Sequence, residues 1–158
     1  MKQEQFLNLA SAEEALKKFR DAVNPAPLGE EQILLKEARG RVLSRDVIAS
    51  INVPFYDRSN FDGYAVRAED TFGAEETQPL SLKLNREILA CGVIPEEQLL
   101  PSTATPISTG GVLPRGADGV VMIENTHPNG DRIRVLKPIV PGRGVSLAGS
   151  DLGAGEVV

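Results

Sequence analysis

Tryptophan is absent from this 158-residue chain, and cysteine and histidine occur once each, as Cys91 and His127. One cysteine excludes an internal disulfide and is expected as a buried, reduced thiol. One cysteine and one distant histidine argue against a zinc site. His127 sits in "NTHPNGD", which reads as a turn, and there is no G-x-S-x-G, so a Ser-His-Asp hydrolase is disfavoured. No G-x-x-x-x-G-K-[ST] is present, and "GRGVSLAGSDLGAG" lacks dinucleotide-loop spacing. No apolar run approaches 18 residues and the N-terminus has no signal-peptide core, so no membrane contact and a cytoplasmic location are expected. No basic stripe exists to meet nucleic acid.

Aromatics are scarce at 4%, yet five of the seven lie between residues 55 and 72. The net charge of −5 is local in the same way. Residues 51–100 hold nine acids against four bases, while the flanking segments balance. Rings and excess acid therefore meet around "PFYDRSNFDGYAVR", residues 54–67, which is too mixed for a regular strand or an ordinary loop.

The expected fold is α+β and mostly β: a helical N-terminal segment followed by a β-rich domain of short strands and hairpins. "SAEEALKKFRDAV" opens on Ser11 with Glu14 three residues later, a capping box, and closes at Pro25 and Pro27. Its apolar stripe and polar back predict that it packs against something. A brief helix is expected in "KEARGRVL" and an extended exit in "RDVIAS". Leu80, Leu82 and Leu84 alternate with polar residues, a half-buried strand. "GVVMIENT" and "DRIRVLKP" around Asn129-Gly130 predict a hairpin. The ending "GSDLGAGEVV" reads as a strand just begun, and the chain is expected to be the front of a longer protein.

Three polar clusters carry candidate chemistry: "DRSNFDGYA" with Asp57, Ser59 and Asp62; "ISTGGVLPRGAD" with Ser108 and Thr109; and "GSDLGAG" with Ser150 and Asp151. Each is equally a composition for Asx and Ser/Thr turns. Together they offer carboxylate and hydroxyl oxygens, hard ligands suited to Mg²⁺. An anionic ligand would need a bridging cation or arginines, for which Arg58, Arg67, Arg115 and Arg143 are candidates.

"FYDRSNFDGYAVR" resembles the P-F-D-x-S-x-M-D-G-Y-A-V-R signature of the MoeA family, the molybdopterin molybdenumtransferases. "ISTGGVLPRGADGVVMIE", "GRGVSLAGSDLGAGE" and "EARGRVLSRDV" are similar to three further motifs of that family, in the same order. The resemblance implies an enzyme of molybdenum cofactor biosynthesis that inserts molybdate into adenylylated molybdopterin with Mg²⁺. It implies a homodimer of elongated subunits, contacts with other proteins of that pathway, and an active site shared between subunits. Asp62, Thr109 and Asp151 would be catalytic, with Asp62 and Asp151 at the Mg²⁺ or molybdate site. Asp57, Ser59 and Ser108 would assist in binding substrate. Residues 1–49 with about 139–158 would form the dimerisation domain and 50–138 the β-rich second domain. The pterin-binding and C-terminal β-barrel domains would be missing, leaving a fragment expected to be inactive and to hold no ligand. A non-catalytic dimerisation or scaffold module is the alternative. The chain departs from the motifs at Asn60-Phe61 (commonly small-then-methionine), Pro106 (frequently basic), Gly111 (alanine), Gly144 (asparagine), Ser146 (arginine) and Ser150 (glutamate).

Overall fold

The structure, a computed structural model, describes residues 10–158; residues 1–9 of the expected first domain lie outside the described residues. The chain divides into two compact units, Met1–Arg45 and Asp46–Val158. Residues 139–158 lie in the second unit.

The first unit holds helix α1, Ala12–Val23. Both arms of the capping box form: the Glu14 amide donates to Ser11 Oγ at 3.2 Å, and the Ser11 amide donates to Glu14 Oε2 at 2.9 Å. Asn24 closes the helix in the left-handed region at φ 44°, its amide bonded to the Arg20 carbonyl. No residue of α1 is buried, so Leu16, Phe19 and Val23 keep an exposed apolar stripe. The helix expected in "KEARGRVL" shrinks to one 3₁₀ turn, Leu35–Glu37. Gly40 follows at φ +81°, a conformation that stops a helix.

The second unit contains eight strands: β1 (Arg58–Ser59), β2 (Gly63–Val66), β3 (Leu80–Leu84), β4 (Thr103–Ile107), β5 (Gly119–Met122), β6 (Thr126–Asn129), β7 (Arg132–Val135) and β8 (Val145–Ser146). Six form a mixed sheet in the order β5-β2-β4-β3-β7-β6, parallel only between β3 and β4. Among the described residues one α-helix accompanies this sheet, and the fold is α+β and mostly β. Both faces of the sheet are covered. Val66, Leu82, Ala104, Val121, Ile133 and Val135 form one apolar layer, and Ala65, Leu89, Ile107 and Val120 the other. Neighbours in sequence alternate between layers as the period-two pleat requires. β3 matches its expected alternation, with Leu82 buried and Ser81 and Lys83 exposed.

Two expectations need correction. The hairpin around Gly130 exists, but its first arm is Thr126–Asn129, so His127 and Pro128 belong to a strand and not to the turn. β6 is the sheet edge, where a proline removes no ladder bond. The expected arm "GVVM" instead pairs with β2 at the opposite edge. Cys91 is exposed, not buried. It lies in a turn closed by the Val93 amide on the Ala90 carbonyl, just after Leu89 has entered the core.

Pro106 lies inside a central strand without breaking it. The Leu89 amide donates to the Pro106 carbonyl, so that edge of the residue faces away from β2 and the missing N–H removes no β2–β4 rung.

Candidate functional site

The loop between β1 and β2 carries Asn60, Phe61 and Asp62, and the backbone of the 108–111 turn grips its start. The Ser59 amide donates to the Gly111 carbonyl at 3.0 Å, and the Gly110 amide to the Ser59 carbonyl at 2.8 Å. Gly111 has no room for a side chain, since a Cβ there would lie 2.4 Å from the Leu89 carbonyl oxygen. At the loop's end Gly63 enters β2 so close to β5 that a Cβ would lie 2.0 Å from the Val121 carbonyl oxygen. The Ile123 amide holds the Asp62 carbonyl at 3.2 Å.

These constraints bring Asp62 and Thr109 together across 47 residues of chain. The Thr109 amide donates to Asp62 Oδ1 at 2.7 Å, and the Thr109 hydroxyl to the same oxygen at 3.1 Å. The amide first, and the hydroxyl second, hold the Asp62 carboxyl below its ordinary value of 3.8 against a small opposing desolvation. Both side chains are exposed. Among the described hydrogen bonds, Asp62 Oδ2 has no partner. The Thr109 hydroxyl directs its only proton at Asp62, leaving its lone pairs outward. The pair therefore presents negative charge and lone pairs to solvent, an arrangement that attracts a hard cation and repels a bare anion.

The other expected site residues are placed differently. Ser59 is buried, and its hydroxyl bridges the Phe61 carbonyl at 2.6 Å and the Phe61 amide at 3.3 Å, within its own loop. Asp57 Oδ1 accepts from the Ala148 amide at 2.8 Å, tying the loop's approach to the chain after β8. Ser108 is half-buried beside Thr109, its amide on the Leu89 carbonyl. Ser150 and Asp151 are exposed, with a long 3.5 Å contact between their side chains. Asp151 lies five residues beyond Ser146, on the stretch that pairs back toward Val53, and no described hydrogen bond links it to Asp62. Among the described residues no group of three His, Cys, Asp or Glu side chains could hold a metal. Of the candidate cations, Arg67 is paired with Glu69.

A family described as the MoeA N-terminal region, domains I and II, matches residues 10–158. The chain belongs to the MoeA family. It is 40% identical over 124 residues to molybdopterin molybdenumtransferase 2 of Mycobacterium tuberculosis, covering 78% of this chain and 30% of that protein. It is 39% identical over 132 residues to the Bacillus subtilis molybdopterin molybdenumtransferase, covering 81% and 30%. The crystal structure of a molybdopterin biosynthesis MoeA protein from Pyrococcus horikoshii OT3 superposes with a TM-score of 0.74 at 41% identity, covering 81% of this chain and 34% of that one. The chain thus spans about 30% of the length of the curated relatives it matches.

Against the MoeA motifs, one site contact escaped sequence reasoning. The Tyr56 hydroxyl donates to the Gly110 carbonyl at 3.3 Å, steadying the turn that carries Thr109. Nothing in local pattern distinguishes it from Phe55, its exposed edge-on neighbour.

Proposed function

We propose that this chain is the N-terminal region of a molybdopterin molybdenumtransferase, the molybdenum cofactor biosynthesis enzyme that inserts molybdate into adenylylated molybdopterin. The observation that carries the reading is the Asp62–Thr109 pair: an ionised carboxylate and an adjacent hydroxyl with outward lone pairs, held by a turn and a loop. The pair fits Mg²⁺ in donor chemistry but supplies only part of a ligand set. Asp151 and groups outside the described residues would complete it. Mg²⁺, when bound, supplies Lewis-acid charge at the phosphoanhydride. Asp62 and Thr109 hold and orient it, while Asp57, Ser59 and Ser108 keep the loops in place. Because Asp62 and Thr109 supply only part of a ligand set, the 158-residue chain alone is inactive in this reading.

The dimerisation region in this reading is 1–49 with about 139–158. It is supported by the exposed apolar stripe of α1 and by the pairing of residues 48–53 with 152–157. The subunit associates as a homodimer and works beside other proteins of cofactor assembly. Among the described residues no helix is long and apolar enough to cross a membrane. We assign the protein to the cytoplasm, where its exposed thiol stays reduced.

The test is molybdenum insertion by the chain extended to the length of its relatives. D62A should reduce it on the order of 100-fold; unchanged insertion would remove Asp62 from the site. If the extended protein inserts no molybdenum at all but still dimerises, the scaffold alternative replaces this reading.

A further inference from the structure

The loop that presents Asp62 is fastened on its other side by a contact that no function yet accounts for. The Asn60 amide donates to the Gly144 carbonyl at 2.9 Å. Beside that bond the Cζ end of the Phe61 ring lies against Gly144. A Cβ at Gly144 would meet Phe61 Cζ at 2.3 Å and both Cε atoms at 2.9 Å, so the ring occupies the volume any side chain would need. The same ring packs on the layer formed by Ala65, Leu89, Ile107 and Val120. Two residues further on, the Ser146 hydroxyl donates to Asn60 Oδ1 at 2.6 Å. Asn60 and Phe61 thus face Gly144 and Ser146 as two matched pairs, one polar and one steric, immediately before Asp62.

We infer that Phe61–Gly144 and Asn60–Ser146 form a lock that positions Asp62 against Thr109, so that these four residues are positioning residues for the site proposed above. The loop has few alternatives. Ser59 is buried and bonded to the 110–111 turn, and Gly63 is wedged under β5. With both ends fixed, displacing the Phe61 ring rotates the backbone at 61, and the adjacent Asp62 side chain moves with it. These four positions are also among those where the chain departs from the MoeA motifs noted above, so the departures are one joint change across a single contact. Replacing Gly144 alone by a larger residue should fail where replacing it together with Phe61 succeeds.

The role of Asp62 in catalysis rests on the proposed function, but the lock is tested without activity. In the 158-residue chain, carboxyl-carbon NMR follows Asp62 through pH, and the Thr109 amide proton reports its hydrogen bond. G144A should move the Asp62 titration up toward 3.8 and shift the Thr109 amide upfield. F61L/G144A, with the ring removed, should restore both, and N60A should produce a smaller upward move. G142A is the control: Gly142 also has positive φ, +81°, but nothing lies within 4 Å of a Cβ there. It imposes backbone strain without touching the ring and should leave Asp62 unchanged. Should G144A unfold the domain, recovery of the fold and of the low titration in F61L/G144A supports the lock. The inference is overturned if G144A leaves Asp62 unmoved, if G142A moves it equally, or if F61L/G144A does not recover. Recovery of Asp62 in F61L/G144A with no loss of insertion in D62A would uphold the lock and overturn the function.

Discussion

Asp62 shows how much one exposed carboxylate gains from a backbone amide. Its folded pKa lies below the unfolded value of about 3.9. The Asp62–Thr109 contact therefore contributes stability above that value, and the contribution is lost as pH falls through the folded pKa. T109A removes the hydroxyl but leaves the amide, which is the larger cause. The titration should rise only part of the way toward 3.8, whereas T109S should leave it low. NMR titration of both variants checks the order of the two causes, and a full return to 3.8 in T109A would reverse it. Gly63 makes a second residue-scale case. Its missing Cβ is what lets β2 and β5 approach, with the Val121 oxygen 2.0 Å from where that carbon would be. G63A should destabilise the second unit by about 3 kcal/mol, the upper end of overpacking costs, read as an earlier urea midpoint.

At the scale of elements, legibility followed the distance between partners. The α1 boundaries were readable because the caps are local: Ser11, Glu14 and the prolines lie within a few residues of the ends. β3 was readable from its own five residues. The two-residue strands β1 and β8 were not, since neither shows a period and their pairing spans most of the second unit. The hairpin was placed correctly at Gly130 and wrongly in its first arm. "GVVM" is a better strand than "THPN" by composition, yet it pairs with β2 while "THPN" takes the place beside β7. The candidate site behaves alike. Motif resemblance named Asp62 and Thr109, but their contact depends on Gly110 and Gly111 meeting Ser59, which no local pattern encodes. α1 offers a test of its local determinants. No residue of it is buried, so its caps carry more of its stability than in a packed helix. S11A should cost the helix about 1 kcal/mol, seen as loss of helical circular dichroism and faster amide exchange at Glu14 and Ala15. The sheet should keep its thermal midpoint.

Across the whole second unit, the two chain ends of the domain run antiparallel as a ribbon. Ile48 bridges Val157, Val53 bridges Leu152, and β1 pairs with β8. Between Val53 and Arg58 the earlier strand advances five residues, while the later one takes six from Leu152 back to Ser146. The extra residue falls between Gly149 and Leu152: the Gly149 amide meets the Pro54 carbonyl, while the successive amides of Asp151 and Leu152 both donate to the Val53 carbonyl, in the manner of a bulge. Past this bulge the ribbon has little apolar cover: Ile48, Ile51, Val53 and Val157 are each more than 40% exposed. The ladder from residue 47 to 54 then depends on the strand across from it and not on the sheet. Ending the chain after Leu147 keeps β8, the Ser146–Asn60 bond and the Phe61–Gly144 contact, but removes the partners of Ala49 and Val53. Hydrogen exchange of that shortened chain should show the Ala49 and Val53 amides losing protection while the Ala65 and Val121 amides keep theirs. If the sheet amides lose protection as well, the ribbon and the sheet are one cooperative unit, and the outer ladder is part of what holds Asp62 in place.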